Sequence, residues 1–178
     1  MTSLIPRPFT VLAAVLGAGL FSTGCGENPG STEAPSAPSA AEALVVVTHA
    51  LVFSQVSTGD KHTCGITTTG RAYCWGRNFQ GQLGDGTGTS RLLPTPVAGG
   101  LVFRNVSAGS SHTCGVTTDF LAYCWGESIG GVLGTGPPAP HIVTTPTRVA
   151  GGLKFRVVAA GYTHSCGLTV ADGRAYCW

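Results

Sequence analysis

The chain has 178 residues, enough for one ordinary domain with a core of its own. Only 10% of them are charged, the formal net charge is +2, and the basic residues stand singly, as at Arg71, Arg77, Arg91 and Arg104. That balance excludes a charge-rich disordered chain and offers no basic cluster for a polyanion, so no nucleic-acid partner is expected.

Taken in order, the first residues read as an address. Arg7 supplies a positive start, and Phe9 to Phe21 is an uncharged apolar run of thirteen residues. This suits a secretory signal and is short for crossing a bilayer. The run ends in Ser22-Thr23-Gly24-Cys25. Small residues before a cysteine resemble the bacterial lipobox, in which cleavage precedes the cysteine and its thiol is lipidated. Ser22 stands where that pattern usually has Leu. Residues 1–24 are therefore read as a signal peptide and Cys25 as a lipid anchor, with ordinary cleavage to a secreted protein as the alternative. The expected location is the periplasm or outer membrane, and the expected membrane contact is through the lipid alone. Residues 25–43 are rich in Ser, Pro and Ala, cannot bury a core, and read as a disordered tether.

From residue 44 onward the chain repeats itself. Leu44-Val45-Val46-Val47 offers a strand, and Val97 and Val149 occupy the matching place later on. Val56-Ser57-Thr58-Gly59-Asp60-Lys61-His62-Thr63-Cys64-Gly65 recurs around His112 and again around His164, offsets of 50 and 52 residues. Each copy runs on to Tyr-Cys-Trp, ending at Trp75, Trp125 and Trp178. A period of this length denotes a propeller or solenoid. The copies span about 51–100, 101–152 and 153–178.

Within a copy, Cys64 to Cys74 reads as a β-hairpin with Thr69-Gly70 at its turn, which sets the two cysteines across from each other at disulfide distance. Cys114 and Cys124 keep that spacing, while Cys166 and Cys177 are one residue further apart around Asp172-Gly173. Seven cysteines thus make three pairs and leave Cys25 over, and export makes the oxidised state reachable. The rival is a metal site built on His-x-Cys at His62, His112 and His164. It is the weaker reading, because each Cys has a nearer partner across its hairpin. The histidines read as structural donors near a turn, and no cofactor is expected.

The residues Val56-x-x-Gly59-x-x-His62-x-Cys64-Gly65, Tyr73-Cys74-Trp75-Gly76, Asn78 and Gly81-Gln82-Leu83-Gly84-Asp85-Gly86 resemble the regulator-of-chromosome-condensation repeat family, including its bacterial alpha-tubulin-suppressor-like members. The resemblance covers residues 44–178. The second copy departs from it, with Ser128 for the Asn and Gly131-Val132-Leu133-Gly134-Thr135-Gly136 for the glycine loop. It implies an all-β fold, blades of a seven-bladed β-propeller, of which about two and a half repeats are present. The third copy stops at Trp178, before its glycine loop, which favours a fragment of a longer propeller.

Three function classes compete. Nucleotide exchange on a nuclear GTPase, the family's best-known activity, transfers poorly to an exported chain. An enzyme, or an inhibitor with a loop-borne site, lacks support: Asp60, Asp85, Asp119, Glu127 and Asp172 show no catalytic spacing and no catalytic motif is present. The preferred reading is a non-enzymatic scaffold for an unknown protein or cell-surface ligand. Its framework holds while Asp60-Lys61, Ser110-Ser111, Tyr162-Thr163 and the long loops vary. The candidate binding loops carry Arg77, Phe79, Gln80 and Arg91 in the first copy, and Glu127 and His141 in the second.

Overall fold

The computed structural model describes residues 50–137 and 140–178. The expected signal peptide, Cys25 anchor, tether and Leu44–Val47 strand lie outside the described residues. Val52–Trp178 forms one compact unit, and it is all-β.

The first sheet contains β1 (Phe53–Thr58), β2 (His62–Thr67), β3 (Ala72–Gly76) and β4 (Arg91–Pro96), in that spatial order. The second repeats it with β5 (Phe103–Ala108), β6 (His112–Thr117), β7 (Ala122–Glu127) and β8 (Ile142–Arg148). The third has β9 (Phe155–Ala160), β10 (Ser165–Thr169) and β11 (Ala175–Cys177). All neighbours are antiparallel: turns of three to five residues join the first three strands of each sheet, and long loops, residues 77–90 and 128–141, lead to β4 and β8. Each sheet is one blade. The expected strand at Val97 and Val149 lies earlier in the chain: β4 and β8 end just before these valines, and the Val97 N–H closes the ladder on the Ala72 carbonyl at 3.0 Å.

Register follows the cysteines. Cys64 pairs with Cys74, Cys114 with Cys124 and Cys166 with Cys177. All three pairs are disulfide-bonded, with Cα atoms 4.1, 4.1 and 4.0 Å apart. That is the close spacing of a non-hydrogen-bonded cross-strand pair. The extra residue of the third hairpin is absorbed in its turn, where Asp172 accepts bonds from the Thr169 hydroxyl and the Arg174 N–H.

Blades stack face to face, and burial shows it. β6 is buried at all six positions, since it is covered from both sides, whereas β1 alternates between half-buried and exposed. Val106 and Val158 are 1% and 2% exposed, but their counterpart Val56 is 54% exposed. The core therefore lies between blades, where Leu83, Leu133, Trp125, Val116 and Val158 meet. The outer strands carry proline at matching places, Pro94 and Pro146. A proline has no N–H to offer a further strand, so these edges resist unwanted pairing.

Candidate functional site

The direction of the strands sorts the connections. β1 runs toward one end of its blade, β2 returns and β3 runs out again. The β1–β2 turn and the β3–β4 loop must therefore share an end. Their contacts agree: Arg77 N–H donates to Lys61 O at 2.8 Å and, in the second blade, Glu127 N–H donates to Ser111 O at 2.9 Å. This end collects Asp60-Lys61, Ser110-Ser111 and Tyr162-Thr163 together with the two long loops. The opposite end holds the Ala-Gly-Gly connectors, which hardly vary, and the β2–β3 turns, which do: Thr68-Thr69-Gly70-Arg71, Thr118-Asp119-Phe120-Leu121 and Val170-Ala171-Asp172-Gly173-Arg174. The long loops and the β1–β2 turns are thus gathered on one face.

The turns of that face form a stair. Asp60 N–H donates to Gly109 O, and Ser110 N–H to Gly161 O, each at 3.3 Å. Gly59 must be glycine, because a Cβ there would lie 2.2 Å from Gly109 O. A shallow depression of about 220 Å³ follows the stair, bordered by Thr58, Asp60, Ser110 and Tyr162. Tyr162 is 75% exposed there.

Beneath the stair, a relay ties each blade to the next. His62 Nε2 lies 2.8 Å from Thr113 Oγ1, and that hydroxyl donates to Gln82 O at 2.8 Å. A hydroxyl has one proton, so its bond to the carbonyl leaves it an acceptor toward the ring, and Nε2 carries the hydrogen. His112 Nε2, Ser165 Oγ and Val132 O repeat the arrangement at 2.9 Å for both bonds. Nδ1 of His62 is buried without a partner. Burial, with a smaller push from His112 against a pull from Asp60, lowers the His62 pKa to about 4. Burial, then His164, lowers that of His112 to about 4. Both rings are therefore neutral at neutral pH, as structural donors.

Other bonds cross the same seams. Gln55 clasps Val106 through both its backbone groups, Asn105 accepts from Val158 N–H, and Ser57 and Ser107 accept from Ala108 and Ala160 N–H. Trp125 is fully buried and donates to Gln82 O at 3.0 Å, with its ring pressed on Gly84. These residues were not singled out as functional from the sequence. A signal was present: the residue after each histidine is always a hydroxyl, Thr63, Thr113 or Ser165.

The candidate loop residues divide. Asn78 is fully buried and organises the first loop: its Nδ2 donates to Asp85, Thr87 and Thr89, and its Oδ1 accepts from Leu83 N–H. Asp85 grips Thr87 and pairs with Arg91 at 2.9 Å. Burial pushes the Asp85 carboxyl up, but the bonds from Thr87, Arg91 and Asn78 outweigh it and hold the pKa below its ordinary value. Arg91, expected as a binding residue, is paired within its own loop, and its side chain is 36% exposed. Phe79 is 65% exposed, with the Arg77 guanidinium 5.2 Å over its ring, and Gln80 is half-buried beside them. In the second loop Glu127 is half-buried and His141 exposed. The six repeat cysteines are bonded in pairs, which leaves the His-x-Cys metal reading without thiolates.

Residues 53–82 match one model of the regulator of chromosome condensation (RCC1) repeat, and residues 69–116 and 121–168 match another. The chain belongs to the RCC1 repeat family. Its three sheets are blades of an RCC1-type β-propeller. Human WBSCR16 is similar at 26% identity with a TM-score of 0.64, over 71% of this chain and 32% of that one. Prp20p from Saccharomyces cerevisiae, described with its binding properties to Gsp1p and histones, gives 26%, 0.64, 71% and 33%. Yeast RCC1 (Prp20) bound to Kap60 gives 25%, 0.62, 71% and 32%. The chain spans about a third of the length of these RCC1-type structures.

Proposed function

We propose that this RCC1-repeat chain is an exported, lipid-anchored scaffold that binds a protein or cell-surface ligand through its variable-loop end and catalyses nothing itself. The observation that carries the reading is the sorting of connections: both long loops share one end with the β1–β2 turns, while the nearly constant Ala-Gly-Gly connectors lie at the other. Similar folds support a protein partner, since Prp20p is described with binding to Gsp1p and histones and in complex with Kap60. Three disulfides support an oxidising compartment and so the signal-peptide reading. Cys25 is the residue left to carry the lipid.

The test is in-cell crosslinking of the full chain with identification of what is captured. Exchanging the loop from Phe79 to Ser90 for the second copy's loop should abolish the crosslink, while changing Thr68 and Thr69 at the opposite end should not. Equal capture by both variants would sink the reading. Cys25→Ala should move the chain from the membrane to the soluble fraction, and an unchanged distribution would remove the anchor.

A further inference from the structure

Along the chain the basic residues stand singly, but the fold gathers them. Arg71 precedes β3, Arg104 and Arg156 are the second residues of β5 and β9, and Arg148 ends β8. Lys154 precedes β9 and Arg174 precedes β11. Strand direction puts all six at the end opposite the long loops, and all six are exposed. Among the described residues the acids of that end are Asp119 and Asp172, and Asp172 is taken by Arg174 at 3.1 Å. At the long-loop end Lys61, Arg77 and Arg91 are matched in number by Asp60, Asp85 and Glu127. Positive charge is thus in excess at one end only.

The basic end also carries apolar side chains. Val102, Leu153 and Val170 are exposed there, on the connectors and the third blade's turn. Phe120 joins them in a strained conformation: its φ is 67°, where the turns of the other blades use Gly70 and Gly173 at 78° and 69°. Its ring is half-buried, with the Arg104 guanidinium 4.5 Å from the ring centre, and its carbonyl accepts from Phe155 N–H at 2.8 Å. Apolar groups set among Lys and Arg suit the headgroup layer of an anionic bilayer, where the rings and methyls enter and the cations meet phosphate. The route of the chain agrees. Phe53 opens β1 at this end, opposite Thr67, and Val52 O accepts from Thr68 N–H at 3.0 Å. Whatever precedes β1 therefore joins the blades at the basic end.

We propose that the Arg71, Arg104, Lys154 and Phe120 end docks on the headgroups of an anionic phospholipid surface and turns the long loops away from it. The inference rests on the exported, anchored reading for the bilayer's presence, while the contact itself needs no lipid on Cys25. Each basic side chain adds a small, salt-screened attraction, so the contact orients an anchored chain and does not hold a free one against salt.

The test uses the full chain carrying Cys25→Ala, sedimented at low ionic strength with vesicles of phosphatidylglycerol and phosphatidylcholine in equal parts. Binding is expected to these vesicles, to fall as salt is added, and to be absent with phosphatidylcholine alone. Lys154→Glu should weaken it at least about fivefold, whereas Lys61→Glu, the same charge change at the long-loop end, should not. Phe120→Gly should weaken binding and leave the unfolding midpoint no lower, since glycine accepts that φ without strain. Equal binding to both vesicle types, or equal losses from the two lysine variants, would overturn the proposal. So would binding of heparin without binding of vesicles, which would identify a soluble polyanion as the ligand. Failure here leaves the anchor standing, because that is read separately from fractionation of the Cys25→Ala chain.

Discussion

His62 and Thr113 belong to different blades, 51 residues apart in sequence, yet the ring Nε2 and the hydroxyl oxygen stand 2.8 Å apart in a fully buried seam. The hydroxyl passes its own proton to Gln82 O, so one threonine satisfies a donor and an acceptor that the stacking of blades has cut off from water.

Thr113→Val keeps the shape and removes the relay. The buried His62 N–H loses its acceptor, which should cost about 1–3 kcal/mol. Thr63→Val makes the same change on the half-buried face of the first blade, where no relay is formed, and should cost under about 0.5 kcal/mol. Denaturant unfolding of both variants measures the contrast.

The seams should be acid-sensitive. His62 and His112 hold pKa values of about 4 in the fold, against 6.5 for the free side chain. Below 6.5 the unfolded chain takes up protons that the folded chain refuses. Stability is therefore intact above that pH and falls as the pH drops toward 4, by up to about 1.4 kcal/mol per pH unit for each ring. Asp85, whose pKa lies below 3.8, keeps its contribution over that window and loses it only on further acidification. Unfolding midpoints between pH 7.5 and 4.5 should show the slope, and His62→Gln should flatten it by about half.

The three disulfides should reduce in order. Cys64, Cys74, Cys114 and Cys124 are fully buried, whereas Cys177 is exposed and Cys166 half-buried. Exchange needs a thiolate to reach a sulfur. Mild dithiothreitol followed by alkylation and peptide mapping should label Cys166 and Cys177 first. Replacing the first pair, Cys64→Ala with Cys74→Ala, should cost about 2.5–3 kcal/mol, read from thermal unfolding.

Asn78 and Phe79 are neighbours with opposite roles. Asn78→Ala removes the hub of the first loop and should destabilise by at least about 2 kcal/mol, since several bonds go at once and Leu83 N–H is left buried. Phe79→Ala removes an exposed ring and should leave stability within about 0.5 kcal/mol while weakening capture of the partner. Calorimetry and the crosslinking assay separate the two.

Trp125→Ala should cost about 3–5 kcal/mol, because the ring is fully buried between blades and its N–H bonds Gln82 O. Trp75→Ala, the same residue in the first blade, should cost clearly less, since that ring is only half-buried. Equal losses would show that the rings are held within blades and not between them.

Much of this was written in the sequence. The hairpin, its register and the partner of each repeat cysteine follow from residues about ten apart, and a strand pair with a tight turn is governed by local geometry. The repeat length announced blades, because a sheet of this size cannot bury both faces alone. What the sequence could not decide was anything that passes between copies. The role of His62 depends on a hydroxyl in the next repeat, that of Gly84 on the next tryptophan, and the fate of Arg91 on a carboxylate folded back within its loop. Three histidines with one motif end in different surroundings, two buried in seams and His164 exposed, because their settings are made by the neighbouring blade. Residue type and spacing determined the blade; stacking alone determined which of its side chains are buried in the seams and which face outward.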